Sequence, residues 1–187
     1  MRERRLTTIS SRWISDYPGL VEEAVGRATR PDSPHHGVHH WQLVAWTGAQ
    51  LLPDVVEADP DVVFCFALFH DSMRLNEYAD PEHGLRGGEL ALELLKDWPH
   101  LDQFRLETLA DACARHTGGE TSSDPSLAVC WDSDRLNLWR VGYRPDPTYL
   151  STEPSKVPGR IEWARRLQQE RYSWEQICLA YSQLSPS

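Results

Sequence analysis

The stretch Asp59-Pro60-Asp61-Val62-Val63-Phe64-Cys65-Phe66-Ala67-Leu68-Phe69-His70-Asp71 decides the fold. Periodicity alone does not separate the apolar run 62–69 from a buried strand. The Asp-Pro pair before it does, because an Asp carboxylate accepts the orphan amides of a first helical turn and proline, lacking an N–H, suits the first helical position. The run therefore reads as a central helix over 60–72. It closes on two polar groups, His70 and Asp71. Burying these without partners costs several kcal/mol, far more for an ionised carboxylate, and a divalent cation suits a neutral imidazole beside a carboxylate.

The same punctuation recurs at Asp80-Pro81, Asp124-Pro125 and Asp146-Pro147, and at least three of the four pairs are followed by helical patterns. Helical spacing gives three amphipathic stripes: Trp41, Val44, Ala45, Gly48, Leu51 and Leu52; Leu85, Leu92 and Leu95 with Gly88 and Ala91; and Leu106, Leu109, Ala110 and Cys113. Weaker helical patterns cover Ile14 to Ala28, Arg160 to Glu170, and Trp174 to Leu184, the last opened by a Ser173-x-x-Gln176 capping box. Between Arg144 and Gly159 the prolines at 145, 147, 154 and 158 imply an extended loop or strap. The expected class is all-α, a single domain over 1–187. No repeat, low-complexity tract or glycine-rich phosphate loop interrupts it.

Composition narrows the function classes. The chain has 187 residues with a net charge of −9 and a pI near 5.3, so it offers no basic footprint to duplex nucleic acid or an anionic membrane. Met1 to Arg5 are basic, but no signal-peptide core follows, and no run approaches the ~18 apolar residues of a membrane span. A cytoplasmic location is expected. Cys65, Cys113, Cys130 and Cys178 are far apart and form no Cys-x-x-Cys pair; they read as buried reduced thiols.

Several other side chains are candidates for chemistry. His40 continues the buried stripe through Val44, and His36 shares its face if the helix already runs through Gly37; His36 then either bonds backbone at the helix entry or orients a ligand. His39 and His35 are expected at the surface. Asp132 and Asp134 are about 200° apart on a helix, so only one can enter a site. Asp132, with Ala128, Val129 and Leu136 a turn away, projects from the more apolar face, leaving Asp134 to a salt bridge or cap. His116 points inward with Leu109 and Cys113. His83 stands in the first turn of its helix before Gly87-Gly88, a pair that permits close approach of a ligand or helix. Arg74, a turn beyond Asp71, is either a surface cap or a planar fork for phosphate.

The segments His36-Gly37-Val38-His39-His40-Trp41, Phe69-His70-Asp71-Ser72 and Trp131-Asp132-Ser133-Asp134-Arg135-Leu136 together resemble the HD-domain metal-dependent phosphohydrolases over roughly residues 33–152. Arg74-Leu75-Asn76, Asp80-Pro81-Glu82-His83-Gly84, His116-Thr117 and Tyr149-Leu150-Ser151-Thr152 are similar to wording in small single-domain bacterial members. The resemblance implies a helical bundle with a metal site between its central helices, and a helical extension, 153–187, packed on it. It implies His40, His70, Asp71 and Asp132 as ligands of a divalent ion (Mn, Fe, Co, Ni, Mg or Zn). Asp71 and Arg74 become catalytic candidates, and His83, His116 and His36 candidates for a second metal or for substrate. The implied reaction is hydrolysis of a small phosphoester or nucleotide by metal-activated water. One departure stands out: many relatives carry Arg three residues after the first ligand His, where this chain has Leu43. A metal-binding or sensing module without turnover is the alternative, and a di-iron oxygenase a more distant one.

Overall fold

Every regular element among residues 12–184, the part described by the computed structural model, is helical. In chain order these are α1 (Arg12–Ser15), α2 (Tyr17–Arg27), α3 (Val38–Leu51), α4 (Pro60–Phe69), α5 (His83–Leu95), α6 (Gln103–Arg115), α7 (Pro125–Arg135), α8 (Glu153–Lys156), α9 (Pro158–Leu167) and α10 (Trp174–Ser182). A 3-10 segment, Leu136–Val141, follows α7. No helix among the described residues is long and apolar enough to cross a membrane.

Helix α4 is the axis of the molecule. Asp59 Oδ1 accepts the amides of Asp61 at 2.9 Å and Val62 at 3.1 Å, as the Asp-Pro signal requires. Every residue from Asp61 to Phe69 is buried, so the helix has no solvent face and α3, α5, α6 and α7 pack around it. At roughly 1.5–3 kcal/mol for each large apolar side chain, this burial fixes α4 as the core. The helix stops at Phe69 rather than at 72. Ser72 turns back to bond the Phe69 carbonyl through both its amide and its hydroxyl, and this tight turn lets His70 and Asp71 reach the same place.

Helix α5 departs from the expected leucine stripe. Leu85 and Leu92 face solvent, and the inward side is Gly84, Gly87, Gly88, Ala91 and Leu95. A Cβ on Gly87 would lie 2.1 Å from the Phe69 carbonyl oxygen, and one on Gly84 2.1 Å from that of Cys113. The smallest residues turn inward because the backbones of α4 and α6 come too close for anything larger. Asp80 does not cap α5; its carboxylate takes the Leu75 amide at 2.8 Å and the Arg86 guanidinium. Asp124 does cap α7, accepting from Leu127 N at 2.9 Å.

The ends of the described chain close the bundle away from the cluster described below. Trp13 stacks on Tyr17 at 4.0 Å, and both rings meet Phe64 edge-on. The buried Asp61 carboxylate takes the Tyr17 hydroxyl, Arg12 and Arg105. Helix α10, opened by the Ser173/Gln176 capping box, sends the Tyr181 hydroxyl to the Ala45 carbonyl at 3.1 Å. All four cysteines are buried free thiols.

Candidate metal centre

The buried end of α4 faces α3, α5, α6 and α7, and each supplies or positions a polar side chain there. His40 sits in the first turn of α3, which starts only after Gly37. His36 therefore lies before the helix, not on its face, with Trp41 Nε1 donating to its carbonyl at 2.7 Å. Its ring still reaches Asp71, Nδ1 to Oδ2, at 2.9 Å.

Asp71 is the hub, and its two oxygens face different neighbours. Oδ2 lies 3.6 Å from both His40 Nε2 and His70 Nε2. Oδ1 lies 3.0 Å from His83 Nε2 and 3.7 Å from His116 Nε2. Two groups follow, His40–His70–Asp71 and Asp71–His83–His116, each entirely buried and with its nitrogen and oxygen atoms within 4.8 Å of one another. They share one carboxylate. The close packing of Gly84 and Gly87 is what carries His83 to this place beside His116.

The protonation pattern fits cations. His70 Nδ1 donates to the Phe66 and Ala67 carbonyls at 3.2 Å, which leaves its Nε2 lone pair facing His40 Nε2 at 3.1 Å. His116 Nδ1 donates to the Cys113 carbonyl at 2.7 Å and His83 Nδ1 to that of Asp80. Their Nε2 lone pairs then face each other at 3.0 Å, an arrangement that needs a proton or a metal between them. Arg74 Nη1, 3.0 Å from His83 Nε2, offers one donor to this second pair.

Electrostatics point the same way. Burial, aided by the Arg140 charge, lowers His40 to about 4, and burial lowers His70 to about 3, so both are neutral imidazoles at ordinary pH, the form that can bind a cation. For His116, burial acts downward, but the hydrogen bond and charge of Asp71 outweigh it and the net shift is upward. Burial would raise Asp71, yet the surrounding imidazoles, His70 first, hold its carboxyl well below the usual range.

Of the two acids on α7, the one that faces the imidazoles is Asp134, whereas Asp132 was expected there. Asp134 Oδ1 lies 3.1 Å from His40 Nε2 and 3.9 Å from His70 Nε2. It is buried with no hydrogen-bond donor aligned on it, and Arg140, Nη2 at 3.5 Å, helps hold it ionised against its burial. Asp132 points the other way and accepts from Ser151 N at 2.7 Å and from the amide and hydroxyl of Thr152 at 2.8 Å. The expectation failed because both faces of α7 are buried: the apolar neighbours of Asp132 mark the face under the strap. Arg74 is tied to Asp71 and to the Asn76 and Tyr78 carbonyls. Leu43 is in the core.

A cavity of about 470 Å³ opens over the cluster, reaching Asp71, Asp134, His36 and His116 and walled by Arg140, Leu138, Tyr143 and Tyr149. Sequence reasoning missed Arg140, Leu138 and Tyr143, and marked Tyr149 only as part of the Tyr149 to Thr152 wording. Their only local signal is their crowding into the turn-rich stretch 138–149.

No family model matches this chain, and no curated protein or solved structure is significantly similar to it. The resemblance that the structure carries is local: His40, His70, Asp71, His83 and His116 form a cluster like an HD-type metal site.

Proposed function

We propose that this chain is an HD-type, divalent-metal-dependent hydrolase of phosphoesters. The observation that carries the reading is the Asp71 carboxylate, buried between two pairs of imidazoles whose Nε2 atoms converge on it. His40, His70, Asp71 and Asp134 would hold one ion, and Asp71, His83 and His116 a second. Bound there, divalent ions supply a water of lowered pKa and offset phosphate charge. The chain's own residues do the rest. Asp134, held ionised beside Arg140, is a hydrogen-bond acceptor within the cavity that can orient a water. His36 holds Asp71 Oδ2 and fixes the carboxylate's orientation. Burial of the cluster excludes bulk water and strengthens every charge interaction on the ester.

A second reading rests on the same full set of imidazoles, since a di-iron oxygenase also needs them. A screen of nucleotides and generic phosphoesters with Mn, Co, Ni, Mg and Fe supplied in turn separates the two. Turnover of a phosphoester that is lost in Asp134→Asn supports hydrolysis. Selective iron loading with dioxygen consumption and no phosphate release overturns it.

A further inference from the structure

The cavity over the cluster has two unlike halves. Its floor is ionic, made by Asp71, Asp134 and the imidazoles. Its outer wall is apolar: Leu138 and Pro145 with the rings of Tyr143 and Tyr149, which are 70% and 54% exposed. Exposed tyrosines are common on surfaces, but this wall is built. Arg135 Nη1 donates to the Tyr149 carbonyl at 2.7 Å, and Asp132 clamps the next two residues of the strap. Gly119, at φ +74, lies against the Tyr149 ring, where an added Cβ would be 3.7 Å away. The left-handed backbone is what calls for glycine here; a Cβ would only touch the ring.

The charges limit what binds. Four arginines, Arg74, Arg135, Arg140 and Arg144, line the cavity against three carboxylates, Asp71, Asp134 and Asp146, a surplus of one. Arg74 and Arg135 spend their donors on backbone carbonyls and Asp71. Arg140 anchors Nε on the His35 carbonyl and Nη1 on that of Asn137, at 2.9 and 3.1 Å, and presents Nη2 toward Asp134 at the floor. Its anchored fork stands between floor and wall, whereas Arg144, the fourth, is more than half exposed and pairs only loosely with Glu162, at 3.9 Å. Beyond Arg140, a chain of two or three phosphates would find only the half-exposed Arg144 to meet its added charge.

We infer that the ligand is a phosphomonoester of a ring-bearing alcohol, with Arg140 on its phosphate and its ring against Tyr149 and Tyr143. This rests on the phosphoester reading above and narrows it to a substrate class. Aromatic side chains favour such a ring through offset stacking, and an arginine fork favours a phosphate.

Isothermal titration of the full chain loaded with Mn²⁺ tests this without turnover, using phenylphosphonate, methylphosphonate and phenyl diphosphate. Phenylphosphonate should bind at least tenfold more tightly than methylphosphonate and no more weakly than phenyl diphosphate. Tyr149→Ala should reduce the ring preference to about twofold and Tyr149→Phe should keep it, both with unchanged metal content, and Arg140→Gln should weaken both phosphonates alike by about tenfold per bound Mn²⁺. Equal affinity for the two phosphonates, tighter binding of the diphosphate, no binding of either phosphonate, or a preference that survives Tyr143→Ala/Tyr149→Ala overturns the inference. Phosphoester turnover without ring preference sinks this inference alone, whereas ring preference without turnover of any phosphoester sinks the hydrolase reading and leaves the ring site standing.

Discussion

Asp132 and Asp134, two residues apart on α7, hold opposite sides of one helix: Asp134 Oδ1 lies 3.1 Å from His40 Nε2, while Asp132 accepts three hydrogen bonds from Ser151 and Thr152 of the strap. One carboxylate faces the cluster and the other ties down the strap that follows Tyr149. Substituting each separates the roles. Asp134→Asn should lower bound metal at least tenfold with little loss of fold. Asp132→Asn should keep the metal but set an amide NH₂ against the strap amides, costing about 1–3 kcal/mol of stability and raising KM more than it lowers kcat. Elemental analysis and thermal melts on the pair of variants decide it; metal loss in Asp132→Asn would reverse the assignment.

The glycines of α5 make a sharper structural claim. Gly87→Ala places a Cβ 2.1 Å from the Phe69 carbonyl oxygen, backbone that cannot rotate away, so α5 must move off α4. The expected loss is about 1–3 kcal/mol or more, with weaker metal binding because His83 rides on the same helix. Gly26→Ala, in α2 with nothing within 4 Å of its Cβ, should instead stabilise by about 0.5–1 kcal/mol. Urea titrations of both proteins measure the contrast.

Acid should unfold the metal-free protein before it unfolds a typical helical domain. His40 and His70 sit at about 4 and 3 in the folded state against 6.5 for a free imidazole. A depressed folded value contributes stability present above pH 6.5 and lost as pH falls through 4 toward 3, on the order of 3 kcal/mol per group. His116 is raised and works oppositely, its contribution being present below 6.5 and lost as pH rises. Melting temperatures of chelator-treated protein should fall steeply below about pH 6, and His70→Ala should flatten that slope. A pH-independent melting temperature over this range would contradict the burial of neutral imidazoles.

What could be read from sequence was what is local. The capped start of α4, the stripe of α3 and the chemistry of His70-Asp71 are properties of adjacent residues, and each lies where its spacing implies. The α5 face was misread because periodicity ranks leucine above glycine, whereas close approach of two backbones reverses the ranking. The choice between Asp132 and Asp134 depended on a strap twenty residues away, and helical phase carries no information about that partner. Arg140 and Tyr143 were invisible for the same reason, and Tyr149 entered only through the similar wording of Tyr149 to Thr152: all three reach the cavity through turns whose direction no period encodes.

The last expectation concerns how many ions the cluster holds. Asp71 Oδ2 faces His40 and His70 while Oδ1 faces His83 and His116, so the two groups are separable by mutation at every residue except the shared one. His83→Ala and His116→Ala each remove one imidazole of the second group only. Each should reduce bound metal from two ions per chain toward one and lower turnover at least tenfold, ~1.4 kcal/mol of barrier. His40→Ala strips the first group and should leave the Asp71–His83–His116 ion weaker but present. Asp71→Asn removes charge from both groups and should release both ions, which metal analysis after gel filtration reads directly. A single ion in the unmodified protein, retained in full by His83→Ala and His116→Ala, would reduce the cluster to one mononuclear site and leave those two imidazoles as buried hydrogen-bonding residues.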